Sequence, residues 1–348
     1  MTNLKNLKQL FQAGIMSIAK FPAKNDFDIS KLDTLDGYTV PLTKEDYGAK
    51  TPVMWNTVYE KLRLNLRNIM VVAQEKDLET ITRTFRHDPK YLGGGVAGGF
   101  KEVIIKYLDQ TIPEDLQSVN IIVKENGRLI GYNTDAQGFV KSLEDTLAKM
   151  GNHLNGKHVV LFGAGGVAKE VSKLLAENMI GRLTIINRTY SKAVALAHSL
   201  NQKYRDFAFG VPEDLTRGVT LNMINDAKPD IFINSTDKGR DGTYENDAAF
   251  APSGDYNNSM ALDLLRQLRA HHPTVIIADI VLTKKEKTPT IHLAELAGFP
   301  PSQLLDGNPM VVNQAAPAYK RVEQANRQHH PISKPENEIR EIMQEVTL

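Results

Sequence analysis

The residue types and spacings best suited to chemistry lie between Lys157 and Ala193. Gly163-Ala164-Gly165-Gly166 follows a short apolar run, Val159-Val160-Leu161-Phe162, and precedes a helical pattern through Val167, Val171, Leu174 and Leu175. A second apolar run, Leu183 to Ile186, ends in Asn187-Arg188-Thr189. Strand, glycine turn, helix, strand is one βαβ unit of the length that binds a dinucleotide. Glycine lets the backbone approach a pyrophosphate, and the free N–H groups at the helix start receive the anion. Glycine after a strand is by itself only a turn; its place in a βαβ unit gives it weight. Where an NAD enzyme carries Asp or Glu for the ribose hydroxyls, this chain has Arg188, with Lys192 close behind. A guanidinium suits a 2′-phosphate, so these residues predict NADP rather than NAD. The alternative is that Arg188 is a solvated surface residue.

These groups need a sheet behind them. Asp230 to Thr236 reads as another buried strand, ending in the loop Asp237-Lys238-Gly239, and Thr274 to Val281 as one more. Their carboxyl ends are where a nicotinamide belongs in a doubly wound sheet. The polar stretch from about 239 to 256 reads as a mobile loop. Upstream, Tyr38 to Leu42 and Ile69 to Ala73 read as strands, with helices from about Pro52 to Arg67 and Asp77 to Phe85. The glycines of Gly93 to Gly99 make a poor strand on entropy grounds and fit better where a ligand or another backbone comes close. Phe100-Lys101-Glu102 then opens a helix. Val119 to Val123, the turn Glu125 to Arg128 and Leu129 to Tyr132 form a hairpin. Thr134 and Gln137 have the spacing of a capping box, so a helix runs from there to about Met150. Met310 to Val322 is a helix containing Gln314. Two amphipathic helices flank the whole, one through Leu4, Leu7, Leu10, Phe11 and Ile15, the other through Ile339, Ile342, Met343 and Val346.

The fold class predicted is α/β, with two α/β domains and an interdomain cleft: a substrate-binding domain and a Rossmann-type NADP-binding domain. The boundaries read as an N-terminal extension at 1–36, a substrate-binding domain at 37–150 plus 307–348, and the dinucleotide domain at 151–306. Composition is that of an ordinary globular chain, 41% hydrophobic and 24% charged. A net charge of +1 gives no reason to expect nucleic acid or an anionic membrane. The absence of cysteine excludes disulfides and thiolate chemistry and fits a cytoplasmic location. The nine histidines show no metal-ligand spacing, so no metal is expected. The terminal helices are candidate contacts of a homodimer.

From about Thr51 to Gln324 the chain resembles the shikimate and quinate dehydrogenase family. The resemblance rests on GYNTDAQGF at 131–139, VVLFGAGGVA at 159–168, INRTYSKA at 186–193, INSTDKG at 233–239 and MVVNQAA at 310–316. Looser matches are TPVMWN at 51–56, GGGVAGGFKE at 93–102 and SVN at 118–120. It implies that the first domain binds a cyclic hydroxy acid and the second NADP. It places a catalytic pair on Lys101 and Asp135 and substrate contacts on Thr51, Asn120 and Gln314. The cofactor would be held by Gly163, Ala164, Gly165, Gly166 and Val167, by Asn187, Arg188, Thr189 and Lys192, and by Thr236 and Gly307.

The pair also makes physical sense. Oxidising a ring alcohol needs hydride loss to the nicotinamide and proton loss from oxygen, and the protein must handle the proton. At a helix start an ammonium is disfavoured, and a nearby carboxylate opposes that shift and fixes the amine. The bland alternatives are a surface lysine and an acid that merely suits a helix dipole. Departures from the family concern the pocket. Its Ser-X-Ser pair is here Ala49 and Thr51, its His-Asn is Trp55-Asn56, Ala97 removes a hydroxyl, and Leu282 replaces a tyrosine. Each lost polar contact to a bound acid costs about 1 kcal/mol or more. The substrate is therefore shikimate, or quinate, or another polyol or amino cyclic acid; a protein that binds NADP without turnover is the reading from a different class. Arg188→Ala is expected to weaken NADP far more than NAD in a direct binding titration. Equal weakening of the two would remove the 2′-phosphate assignment.

Overall fold

A computed structural model describes residues 4–97, 99–212, 228–283 and 285–347. Gly98, inside the glycine-rich run, lies outside the described residues. The chain divides into two compact units, Met1–Asp135 with Val311–Leu348, and Ala136–Met310.

The first unit opens with helix α1 (Leu7–Gln12), capped by Asn6, and strand β1 (Met16–Ile18). Strands β2 (Gly37–Thr39) and β3 (Leu42–Thr43) lead to α2 (Thr51–Lys61), β4 (Leu66–Asn68) and β5 (Val71–Ala73). Helix α3 (Leu78–His87), β6 (Tyr91–Gly95), β7 (Gln110–Thr111), β8 (Ile121–Glu125) and β9 (Arg128–Tyr132) follow. One sheet runs β4-β2-β6-β8-β9-β7, and a second, of three strands, β1-β5-β3. The described part of the expected N-terminal extension, residues 4–36, is packed into the first unit. Leu7 and Leu10 have no exposed surface, the Leu7 N–H donates to Asp88 at 2.8 Å, and β1 adds an antiparallel strand to β5. The hairpin β8–β9 turns on Asn126-Gly127, both at positive φ, the conformation that matches strand twist in a two-residue loop.

The glycine-rich strand β6 owes its composition to its neighbours' backbones. A Cβ on Gly94 would sit 2.2 Å from the Val40 carbonyl oxygen, and one on Gly93 2.4 Å from that of Ile122. No helix follows Lys101: the chain makes one 3-10 segment, Val103–Tyr107. Five residues of 3-10 structure have little macrodipole, so the helix-start argument for Lys101 does not apply.

The second unit begins with α4 (Asp135–Lys149), whose first residue belongs to the first unit. Then come β10 (His158–Phe162), α5 (Gly166–Glu177), β11 (Arg182–Asn187), α6 (Tyr190–Lys203) and β12 (Ala208–Pro212). β13 (Ile231–Asn234), α7 (Asn257–His271), β14 (Ile276–Asp279), α8 (Pro289–Leu296) and β15 (Leu304–Leu305) complete it. The strands lie in the order β12-β11-β10-β13-β14-β15, all parallel. This is the 3-2-1-4-5-6 order of a dinucleotide-binding sheet. Helix α4, expected in the substrate domain, packs Phe139, Leu143 and Leu147 into the core that holds Val159 and Leu161, which is why it groups here. The stretch 239–256, expected as a mobile loop, is largely solvent-facing but anchored in its middle. Ala248 to Ala251 are buried, Phe250 lies 4.6 Å from Phe162 between ring centroids, and the Asn257 amide donates to the carbonyls of Ala248, Ala251 and Pro252.

The chain returns to the first unit through α9 (Asn308–Ala325) and ends in α10 (Glu336–Gln344). Ile339 and Met343 of α10 are fully buried against α2 neighbours such as Val58. The apolar faces of both terminal helices are thus covered by their own chain, which removes the reason for reading them as subunit contacts. No helix among the described residues is long and apolar enough to cross a membrane. Gly94→Ala is expected to cost about 3 kcal/mol or to prevent folding, because backbone oxygen cannot step aside. Gly48→Ala, with nothing within 4 Å of its added Cβ, is the control. Urea unfolding of both variants reads the difference.

Candidate active site

The centre of the first unit's site is a carboxylate. Asp135, the first residue of α4, accepts from Lys101 Nζ at 2.6 Å on Oδ2 and from Asn120 Nδ2 at 2.8 Å on Oδ1. Lys101 keeps a third of its side chain exposed and Asp135 about a seventh (33% and 15%), so the pair is open at the amine and sheltered at the acid. Phe100, fully buried, anchors the backbone before Lys101, and the Lys101 carbonyl accepts the Val119 N–H at 2.8 Å.

Asn120 adjoins β8 and orients the acid. Its Oδ1 accepts the Thr134 N–H at 2.9 Å, which fixes the amide so that Nδ2 faces Asp135. Gln314, from α9, offers Oε1 to the same Nδ2 at 3.2 Å, and its backbone carbonyl accepts the Thr134 hydroxyl at 2.9 Å. The expected capping box therefore does not form with Thr134, whose hydroxyl is used on Gln314. Asn133 serves the helix start instead, its Oδ1 accepting the Asp135 N–H at 2.9 Å. Lys101, Asp135, Asn120 and Gln314 come together as one network. Thr51 does not join it by a hydrogen bond: it opens α2, beside Lys50, whose Nζ donates to the Thr347 carbonyl at 3.1 Å.

Tyr47 was missed by the sequence reading. Partly exposed, it has its phenol raised above the ordinary range by burial and then by the Asp135 charge. A lone tyrosine in a polar loop carries no pattern that could have announced it. Trp55, which stands where the family has a histidine of the pocket, is core. It packs edge-on at 5.3 Å from Tyr319 and 6.3 Å from Tyr59. Asn56 clamps backbone, its amide donating to the carbonyls of Lys24 and Asn68.

In the second unit the glycine turn lies between β10 and α5. Gly163 is at φ +112, and an added Cβ would meet Ser235 Oγ at 2.7 Å, so this position is glycine for close packing against the next strand's loop. A Cβ on Gly165 would meet nothing within 4 Å, and α5 has no side-chain cap on its first turn. Uncapped N–H groups at Gly166 and Val167, beside Ala164 and open space, fit a pyrophosphate. At the end of β11, Asn187 Nδ2 donates to the Thr189 carbonyl at 2.8 Å. Arg188 and Lys192 are exposed there, and neither is ion-paired within the described residues. Two such cations suit a phosphate monoester. Thr236 stands on the loop after β13. Gly307 lines a shallow hollow with Leu282, Thr283, Lys287, Thr288 and Asp306, beyond the ends of β14 and β15.

Residues 145–213 match the family model of shikimate / quinate 5-dehydrogenase. The chain is 29% identical over 275 residues to the shikimate dehydrogenase (NADP(+)) of Alkaliphilus metalliredigens, covering 78% of this chain and 85% of the relative. Among solved structures, shikimate 5-dehydrogenase from Listeria monocytogenes, in complex with shikimate and NAD, is 25% identical with a TM-score of 0.65, covering 89% of this chain and 96% of that one. The 5-ketofructose reductase of Gluconobacter sp. strain CHM43, 22% identical with a TM-score of 0.59, covers 89% of this chain and 99% of that one and shares the fold.

Asn120→Ala is expected to destabilise the chain by about 2 kcal/mol, since it leaves the buried Thr134 N–H without its acceptor and frees one oxygen of Asp135. Denaturant unfolding checks this, and a loss below about 0.5 kcal/mol contradicts the network as described.

Proposed function

This chain belongs to the shikimate/quinate 5-dehydrogenase family, and from that premise we propose that it is an NADP-dependent dehydrogenase of a cyclic hydroxy acid. The reaction is the reversible reduction of a ring ketone, 3-dehydroshikimate or a close analogue, to the alcohol. The observation that carries this reading is the 2.6 Å contact of Lys101 with Asp135. A protein that only bound a nucleotide would need no such pair.

When bound, NADP supplies the hydride donor or acceptor. The chain's own residues handle the proton and the placement. In ketone reduction Lys101 Nζ donates a proton to the oxygen that becomes the alcohol; in the reverse direction the amine takes that proton back. Asp135 Oδ2 holds Nζ in position and balances its charge, and Asn120 keeps the carboxylate from turning. Asn120 and Gln314 hold amide groups next to the amine, where ring hydroxyls would exchange with their present mutual hydrogen bonds. The Gly165 opening and α5 N-terminus receive the pyrophosphate, and Arg188 with Lys192 the 2′-phosphate.

Two observations favour a substrate other than shikimate. Ala49, at the position where the family presents a hydroxyl, is buried against Ala19 and Met70. Leu282 puts an exposed apolar side chain where a tyrosine is usual. Both changes remove polar contacts, which suits a less hydroxylated or differently substituted acid, with quinate and amino analogues among the candidates.

NADPH absorbance with a panel of cyclic acids and ketones tests the proposal. Lys101→Ala is expected to lower kcat by about 10²–10⁴-fold while the affinity for NADP stays within about twofold. Turnover on shikimate supports that substrate, and turnover only on another acid supports the divergent reading. Tight NADP binding without turnover on any member of the panel overturns the enzyme assignment.

A further inference from the structure

Asp279 is a buried acid that the mechanism does not use. Asp279 ends β14 and has no exposed surface. Its Oδ1 accepts from Asn234 Nδ2 at 2.9 Å and from the Val281 N–H at 3.0 Å, and its Oδ2 from the Thr288 hydroxyl at 2.7 Å. Asn234 ends the neighbouring strand β13 and is also fully buried. It turns its Oδ1 to Thr236, accepting the backbone N–H at 2.9 Å and the hydroxyl at 2.7 Å, while Nδ2 also reaches the Lys238 carbonyl at 3.1 Å. On the other side, Thr288 caps α8 by accepting from the Ile291 N–H. Gly239, at φ +89, packs so that an added Cβ would lie 3.2 Å from the Thr288 Cβ. The loop 235–239 is therefore tied to one acid from both of its ends.

All of the side-chain and backbone donors to Asp279 are neutral, and burial pushes its carboxyl up to about 6 against their hydrogen bonds. A carboxylate kept in such a place, with no cation among the described residues bonded to it, is costly, and an apolar side chain would close the strand end at lower cost. What the carboxylate provides is directionality. It can only accept, so Asn234 must present its NH₂ to Asp279 and its oxygen to Thr236. Without that demand the amide is held in this orientation only by the Thr236 N–H on its Oδ1 and the Lys238 carbonyl on its Nδ2, and a turned amide would set NH₂ against the Thr236 N–H.

We propose that Asp279 is a positioning residue for the loop 235–239: by accepting the Asn234 amide it fixes the Thr236 N–H and hydroxyl in the arrangement that receives the nicotinamide cofactor. This rests on the cofactor reading given above, so the test has an arm that needs no cofactor. Wild type, Asp279→Leu and Asp279→Asn are compared by hydrogen exchange at the Thr236 amide in the unliganded protein, and by titration with NADP⁺. Asp279→Leu is expected to speed exchange at Thr236 about tenfold or more, with the amides of β10 and β11 unchanged, and to weaken NADP⁺ by a similar factor. Asp279→Asn keeps an oxygen for Asn234 and gives Thr288 a donor, so it is expected to stay within about threefold of wild type in both. In an Asn234→Ala background Asp279→Leu should add less than about twofold, because the acid acts through that amide.

Exchange and affinity unchanged in Asp279→Leu overturn the proposal. So does Asp279→Asn being as damaging as Asp279→Leu, an undiminished effect in the Asn234→Ala background, or exchange rising equally across the whole sheet. Should Asp279→Leu not fold, Asp279→Ser takes its place, its hydroxyl being too short to reach Asn234. If the wild type binds no NADP⁺, the cofactor reading falls while the exchange arm still decides the positioning.

Discussion

A carboxylate has two oxygens, and at Asp135 each is bound by a different donor, Lys101 on one and Asn120 on the other. Much of the first unit serves that arrangement. The two-residue turn of the β8–β9 hairpin fixes its register, with Ile121 opposite Tyr132, and the Asn120 N–H donates to the Tyr132 carbonyl at 3.0 Å. The chain leaving β9 therefore passes Asn120 as it enters α4, and Thr134 and Asp135 arrive within reach of one amide. Lys101 is brought from the opposite direction by the glycine strand β6, which pairs with β8 antiparallel. Removing side chains from Gly93 and Gly94 lets β6 run tight against its neighbours, and the lysine follows from that closeness.

The periodic parts of this fold were legible. The βαβ unit at 158–187, the hairpin and the helices α2, α3, α4, α9 and α10 follow from apolar spacing and turn residues, because those signals are local. Mistakes arose where tertiary partners decided the outcome. Leu7 and Leu10 look like any amphipathic stripe, and only Asp88, far along the chain, shows that they are docked on their own unit. The 239–256 stretch reads as polar by average, yet its four-residue run Ala248 to Ala251 is core, held by an asparagine that no pattern singles out. Trp55 was assigned by its place in a motif, whereas its size carried it into the aromatic cluster with Tyr59 and Tyr319. The 3-10 segment after Lys101 is helical in composition but too short to become a helix.

The candidate site divides in the same way. Lys101, Asp135, Asn120 and Gln314 were named from motif resemblance, and their hydrogen bonds to one another are a matter of geometry that no spacing conveys. Asn234 and Asp279 left a readable trace that was passed over: each is the last residue of a strand otherwise made of Ile, Phe and Ala. A polar residue closing a fully buried strand must find a partner or be costly. Tyr47 left none.

The two units use one device with different results. Asn120 and Asn234 each take a backbone N–H on Oδ1, from Thr134 and from Thr236, and each then gives Nδ2 to an aspartate. The backbone N–H and the acid together decide which end of the amide is which, one by donating to its oxygen and the other by accepting from its NH₂. Around Asp135 the second oxygen meets the Lys101 amine, which keeps a third of its side chain exposed. Around Asp279 the second oxygen meets the Thr288 hydroxyl, with no exposed surface and no cation among the described residues bonded to it, and burial lifts its carboxyl to about 6. The first environment leaves its amine open to solvent, as the proposed proton transfer requires. The second can only hold its neighbours still, which is the role that its hydrogen bonds, all to groups of the loop and helix around it, are arranged to perform.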